Sequence, residues 1–150
     1  MANTFTSLHY HVVFSTHCRE LWIAKDIQEQ VWPYLGGIIK QNGGSPILTG
    51  GMPDHVHLAF SLPPTRTISD IVKAAKGGSS KWIKERFSEM KGFKWQDGYA
   101  AFTISKSALP EVMEYIRNQA QHHRTKTFQE EYIAFLKRHE VEYDPKHVWG

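Results

Sequence analysis

The centre of this 150-residue chain is the stretch Pro53-Asp54-His55-Val56-His57-Leu58-Ala59-Phe60. Side chains on a β-strand alternate between the two faces, so His55 and His57 share one face while Val56 and Leu58 occupy the other. Two imidazoles held side by side on a strand can bind one divalent metal ion. The pattern is short, and by itself it fits two polar positions on a half-solvated strand better than it fits a metal site. A metal site therefore needs a third ligand from elsewhere.

That ligand is expected near Tyr115 and Gln119, which are four residues apart and would lie on one face of a single helix. The side-chain carbonyl of Gln119 is a hard oxygen ligand, and the hydroxyl of Tyr115 can attack phosphorus. The alternative is a surface glutamine beside a half-buried tyrosine. The pair therefore predicts a nucleophile next to a metal only if the helix packs against the two histidines.

The order of these motifs resembles the single-tyrosine HUH transposases of the smallest bacterial insertion sequences, a group that includes the REP-associated tyrosine transposases. The resemblance rests on residues 52–57 after a short strand, the basic helix that follows, residues 95–105, and Tyr115 with Gln119. It extends over about residues 10–124. The order is much more specific than any one motif.

The resemblance implies an enzyme that cuts and rejoins single-stranded DNA near hairpin ends. It implies that His55, His57 and Gln119 bind Mg²⁺ or Mn²⁺, and that Tyr115 becomes covalently linked to the 5′ phosphate. It also implies a homodimer in which the tyrosine helix of one subunit could complete the histidine site of the other.

Hydrophobic periodicity predicts the order strand, helix, strand, strand, helix, strand, followed by helices. This is an α+β fold with a ferredoxin-like or RRM-like antiparallel sheet, helices on one face and further C-terminal helices, and the resemblance implies the same fold. Periodicity alone also fits other α+β arrangements. The predicted strands are residues 4–15, 45–51, 55–62 and 99–105; the helices begin at about Asp26, after Thr67, near Ser107 and after Thr127.

Composition limits the class of protein. We expect a single domain over residues 1–150, and Cys18, the single cysteine, excludes an internal disulfide and a cysteine metal site. The sequence has no apolar run of roughly 18 residues and no signal-peptide pattern, so we expect a cytoplasmic protein that does not contact membranes.

Basic charge is concentrated in one segment. Residues 66–94 contain eight Lys or Arg and three acidic residues, whereas the segments before and after each have a net charge of −1. Such a segment favours binding of a polyanion, although it also fits a solvated helix face. The predicted DNA-binding residues are Arg66, Lys73, Lys76, Lys81 and Lys84.

Three other functions remain open from the residues. An RRM-like module without catalysis would need exposed sheet aromatics, and its signature of Lys or Arg, Gly, Phe, Gly, Phe is absent. A zinc hydrolase could use the strand histidines with His122 or His123, but no acidic residue lies between the paired histidines to act as general base. A domesticated relative that cleaves chromosomal repeats has the same sequence features as a mobile transposase.

Overall fold

The computed structural model describes residues 3–149, and its four strands form one antiparallel sheet in the order β2-β3-β1-β4. This confirms the predicted α+β fold. The elements are β1 (His9–Ser15), α1 (Lys25–Gln41), β2 (Ser45–Met52), β3 (His55–Ser61), α2 (Ile68–Arg86), β4 (Ala100–Ile104), α3 (Leu109–Arg117), α4 (Gln119–His122) and α5 (Phe128–Arg138).

One face of the sheet forms the main hydrophobic core with α1 and α2. Alternation along the two central strands directs Phe14 of β1 and Val56, Leu58 and Phe60 of β3 into this core, where all four are fully buried. Each such side chain contributes roughly 1.5–3 kcal/mol to stability through burial. The same alternation directs the two histidines of β3 to the opposite face.

The two long helices, α1 and α2, contain 17 and 19 residues. The side chain of Thr67 accepts a hydrogen bond from the backbone N–H of Asp70, which confirms the predicted N-cap of α2. Within residues 3–149, no helix is both long and apolar enough to cross a bilayer.

The second face of the sheet is covered by α5. Val13 and Phe102 on the sheet pack against Phe128, Tyr132 and Leu136 on one side of this helix. The helix begins with a capping box, in which Thr127 and Glu130 bond to each other's backbone N–H groups, as the sequence predicts.

Two predicted elements have different bounds in the structure. β1 begins at His9 rather than at Thr4 because His9 lies opposite the last residues of both neighbouring strands, Ser61 and Ile104. Just beyond that point the carbonyl of Leu8 still accepts a hydrogen bond from the N–H of Leu62, and the pairing with both neighbouring strands ends there. The single helix predicted for Tyr115 and Gln119 is divided at Asn118, whose backbone (φ −95°, ψ 23°) leaves the α-helical region.

Candidate active site

The two histidines of β3 lie side by side on the face covered by α5. His55 and His57 are fully buried, and their ring centroids are 5.2 Å apart. β3 is an interior strand, paired with β2 on one side and β1 on the other, so its backbone is fixed along its whole length. The sheet therefore holds two imidazoles rigidly under a helical cover.

Gln119, at the start of α4, reaches this pair. Its Oε1 atom is 2.8 Å from Nε2 of His55, and the side chain is 2% exposed. Although the predicted helix is divided before Gln119, the turn at Asn118 still directs this side chain toward the sheet. The structure thus brings together the three ligands that the resemblance implies.

Tyr115, on α3, approaches the cluster formed by His55, His57 and Gln119. Its ring centroid is 5.7 Å from that of His57, and its hydroxyl donates a hydrogen bond to Oε2 of Glu131. The same hydroxyl accepts a hydrogen bond from Nε2 of His122 at 2.9 Å. Burial, followed by the negative charge of Glu131, raises the pKa of Tyr115 above its ordinary value. The hydroxyl is therefore protonated in this arrangement.

Glu131, on α5, is the acidic residue at the centre of the cluster. Its Oε1 is 3.0 Å from Nε2 of His57 and 3.5 Å from Nε2 of His55. Burial raises the pKa of Glu131, but hydrogen bonds from His123 and His57 outweigh burial and hold this pKa well below its usual range. His55, His57 and Glu131 place one ligand atom each within 4.8 Å of one another, so this cluster could hold a metal ion.

Sequence reasoning missed Glu131, although a signal was present. In α5, residues 128, 132, 135 and 136 form the apolar stripe, and position 131 falls within it. A charged residue on the buried face of a helix is costly unless it is paired. Its position therefore indicates a polar partner on the surface against which α5 packs.

Two further residues form hydrogen bonds with the Nδ1 atoms of His55 and His57. Oδ1 of Asp54 accepts a hydrogen bond from Nδ1 of His55 at 2.7 Å. His11 lies on β1, buried on the same face, with its Nε2 2.8 Å from Nδ1 of His57. Burial, followed by the charge of His57, lowers the pKa of His11 well below 6.5, so His11 is neutral.

His123, which directly follows α4, faces the side-chain oxygens of Gln119 and Glu131. Nε2 of His123 lies 3.1 Å from Oε1 of Gln119 and 3.2 Å from Oε2 of Glu131, and Nδ1 of His123 donates to the carbonyl of Lys126. Both histidines weighed as alternative ligands, His122 and His123, therefore contact the cluster. The acidic residue that the hydrolase alternative lacked in the sequence is present as Glu131.

A close approach between α3 and β2 positions the tyrosine. A Cβ atom added at Gly50 would lie 2.7 Å from Cγ2 and 3.1 Å from the carbonyl oxygen of Ile116. Gly50 also lies opposite His57 in the β2–β3 register. The absence of a side chain there lets the helix that carries Tyr115 pack directly on the strand beside the histidines.

The predicted DNA-binding residues lie apart from this cluster, because α2 packs on the opposite face of the sheet. Four of them are exposed: Arg66, Lys73, Lys81 and Lys84. Lys76 differs, since its ammonium donates hydrogen bonds to the carbonyls of Gln96 and Gly98. Burial, partly offset by Asp97, lowers the pKa of Lys76 to about 8.

Comparison with known proteins identifies relatives of this chain. The family model described as "Transposase IS200 like" matches residues 4–119. The ISDra2 transposase TnpA of Deinococcus radiodurans is 31% identical over 117 residues, covering 75% of this chain and 84% of that protein. The transposase of insertion sequence IS200 from Salmonella typhimurium is 25% identical over 127 residues, covering 81% and 82%.

Two solved structures share the fold. A crystal structure described as a transposase of D. radiodurans superposes with a TM-score of 0.65 at 28% identity, covering 79% of this chain and 96% of that one. A REP-associated tyrosine transposase bound to a REP hairpin superposes with a TM-score of 0.60 at 15% identity, covering 82% and 74%. With most of its length matched in sequence and in structure, this chain belongs to the IS200-like transposase family, whose members are single-strand DNA endonucleases and strand transferases.

Proposed function

We propose that this transposase cleaves and rejoins single-stranded DNA near hairpin ends through a covalent 5′-phosphotyrosine at Tyr115. One observation supports this most strongly: the hydroxyl of Tyr115 lies in the same cluster as His55, His57 and Gln119. A tyrosine hydroxyl is a poor nucleophile unless charged groups or a metal ion lie beside it. Here several such groups converge on one point.

We propose that His55, His57, Gln119 and Glu131 hold Mg²⁺ or Mn²⁺. The donor set fits a divalent ion, because two imidazole Nε2 atoms, an amide oxygen and a carboxylate oxygen converge at one place. Asp54 accepts a hydrogen bond from Nδ1 of His55, which leaves Nε2 of a neutral imidazole available as a ligand. When bound, a divalent ion neutralises the nonbridging phosphate oxygens and stabilises the leaving 3′ oxygen.

The proton of the Tyr115 hydroxyl and the covalent bond to phosphorus involve side chains of this protein. The hydroxyl of Tyr115 must release its proton as its oxygen attacks phosphorus, and Glu131 and His122 are the side chains in hydrogen-bond contact with it. The tyrosine oxygen then bonds to phosphorus as the bond to the 3′ oxygen breaks, which leaves a free 3′ hydroxyl. Because one phosphoester replaces another, the reverse attack by a 3′ hydroxyl reseals a strand without ATP.

Substrate and assembly belong to the same proposal. The exposed cations of α2 offer a surface for the DNA backbone, and one relative of the same fold is bound to a REP hairpin.

We propose a homodimer as well, although Tyr115 and the histidines meet within one chain. Mixing Tyr115→Phe with His57→Ala protein tests this: restored cleavage means that subunits exchange their tyrosine helices, and no restoration means that each site is complete in one chain.

The deciding experiment uses end-labelled single-stranded hairpin DNA from the flanks of the gene, incubated with Mg²⁺ or Mn²⁺ and separated on a denaturing protein gel. We expect a labelled protein band that is lost in Tyr115→Phe and kept in Tyr143→Phe, the matched control outside the cluster. If DNA is bound but wild-type protein forms no covalent band, the chain is a binding module and the proposal is wrong.

A domesticated relative remains the second candidate. It would use the same site on dispersed chromosomal repeats rather than on the ends of a mobile element. Cleavage of hairpins from dispersed repeats, with no cleavage of hairpins that flank the gene, would favour domestication.

A further inference from the structure

A hollow opens directly beside the hydroxyl of Tyr115. Its volume is about 120 Å³, and Tyr115, His122 and Glu131 line it together with the basic residues Lys126 and Arg138. Of these, Tyr115 alone falls inside the region matched by the family, residues 4–119. The other four come from the C-terminal part of this chain, so the family match assigns them nothing.

Tyr115 and His122 also line a second hollow on their other side. That one is wider, about 690 Å³, and its charged residues include Glu111, Glu114 and Arg124. A phosphodiester could reach Tyr115 from either side. The two hollows differ in charge, and charge decides which side attracts a phosphate.

The smaller hollow is the more positive of the two. Its acidic residue, Glu131, is 1% exposed and is engaged by hydrogen bonds from the histidines and Tyr115, whereas Arg138 is exposed and Lys126 half-buried. The carboxylates of the wider hollow belong to exposed residues of α3. An incoming phosphate would therefore meet two cations and the buried, hydrogen-bonded Glu131 on one side, and two exposed anions with one cation on the other.

The two cations also lie near the reacting groups. The charge of Arg138 acts to lower the pKa of Tyr115, although burial and Glu131 outweigh it. The charge of Lys126 likewise lowers the pKa of His122, after burial. Both cations line the same hollow as Tyr115 and His122, so a group bound in that hollow would lie beside all four side chains.

We propose that this smaller hollow is the subsite for the scissile phosphodiester, with Lys126 and Arg138 binding its anionic oxygens next to the Tyr115 hydroxyl. The inference rests on the proposed role of Tyr115. An arginine suits this position because its planar fork can bind two phosphate oxygens at once. Cations placed where charge develops stabilise the transition state more than they stabilise bound DNA.

The test compares Lys126→Met and Arg138→Met with Lys137→Met. Lys137 precedes Arg138 on α5 and does not line the smaller hollow. We expect each subsite variant to slow formation of the tyrosine adduct by about 10²-fold in a single turnover at saturating hairpin DNA. Hairpin affinity should stay nearly unchanged, since the hairpin is bound elsewhere. Arg138→Lys should restore part of the rate, and Lys137→Met should match wild type.

A second measurement does not depend on catalysis. The dinucleotide thymidylyl-thymidine, a minimal phosphodiester, is titrated into Tyr115→Phe protein with and without the Arg138→Met change, with matched thermal melts to verify folding. Weaker binding in the double variant supports the subsite. Unchanged binding overturns it, as does an equal loss of rate in Lys137→Met.

The two proposals fail differently. If Tyr115→Phe abolishes the adduct while Lys126→Met and Arg138→Met keep the full rate, the phosphate approaches from the other side and the role of Tyr115 stands. If wild-type protein forms no adduct and the dinucleotide binds independently of Arg138, both proposals are wrong.

Discussion

At the scale of single residues, the hydrogen bond between His11 and His57 determines which ring nitrogen of His57 is free to bind a metal ion. With no ion bound, His57 donates its Nε2–H to Glu131, and its Nδ1 accepts from His11. To bind a metal through Nε2, His57 must carry its proton on Nδ1 instead, and Nε2 of neutral His11 then becomes the acceptor. His11 would thus position His57 without touching the ion.

We therefore expect His11→Phe to lower Mn²⁺ affinity by about 10- to 100-fold, the usual cost of losing a group that orients a metal-binding histidine. Isothermal titration of Mn²⁺ into the protein without DNA measures this. His9→Phe, two residues away on the same strand, is the control and should bind Mn²⁺ like wild type. Equal affinities for His11→Phe and wild type would show that His57 is oriented by the strand alone.

Glu131 determines how tightly Tyr115 keeps its proton. Burial is the largest cause of the raised pKa of Tyr115, and the charge of Glu131 is the next. Glu131→Gln removes that charge but not the burial, so the pKa of Tyr115 should fall while staying above its ordinary value. Alkaline titration of tyrosinate absorbance, with Tyr115→Phe subtracted, measures the shift. The exposed Glu142→Gln is the control, and an equal shift there would contradict the assignment.

At the scale of elements, the contact between α3 and β2 depends on Gly50. Alanine there would place its Cβ within 2.7 Å of Ile116, next to the nucleophile, so α3 must move away from the strand. A displacement of about 1 Å at a reacting group can cost on the order of 10²-fold in rate. We expect Gly50→Ala to slow adduct formation by that order.

The control for Gly50→Ala is Gly37→Ala in α1, where an added Cβ meets no atom within 4 Å. Alanine inside a helix should stabilise the protein by roughly 0.5–1 kcal/mol and leave the rate unchanged. Urea unfolding of both variants separates a shift of α3 from a general loss of stability. A full adduct rate in Gly50→Ala would mean that α3 does not depend on this approach.

Lys76 connects α2 to the segment before β4 rather than presenting a free charge. Burial lowers its pKa to about 8 in the folded protein, below the ordinary value of 10.5. Between these two values the unfolded chain holds a proton that the folded protein has released, so stability should rise with pH across this window. Urea unfolding at pH 7.5 and pH 10 should show this rise in wild type relative to Lys76→Met. A parallel pH dependence of the two proteins would contradict it.

At the scale of the whole molecule, the exposed cations and the active site lie on opposite faces of the sheet. A strand bound along α2 must pass around a sheet edge to reach Tyr115. Each phosphate contact removed should reduce the salt dependence of binding by about 0.7 to 0.9 in log–log slope. Removing both charges in Lys81→Gln/Lys84→Gln should therefore reduce the slope by about 1.4 to 1.8, as measured by hairpin binding over a series of salt concentrations.

The same variant should form the adduct at the wild-type rate once DNA is saturating, because neither lysine lies near the cluster. An unchanged salt slope would move the hairpin site away from α2. A slower adduct at saturation would mean that hairpin binding and cleavage are coupled through the fold.

Sequence alone determined the features that depend on local periodicity and local chemistry. Alternation around His55 and His57 predicted the strand and its two faces, and the Thr67 and Thr127 caps predicted two helix starts. The order of motifs predicted the family. These features depend on residues only a few positions apart, so the chain displays them without its fold.

Tertiary structure decided which residues share the site. Glu131 is separated from His57 by 74 positions and His11 by 46, and such pairs meet only through sheet register and helix packing. The same packing lets the ammonium of Lys76 donate hydrogen bonds to the carbonyls of Gln96 and Gly98. It also places α2 on the face of the sheet opposite the histidines. Residue type indicates what a side chain can do, but its partners are fixed by three-dimensional contacts between distant segments.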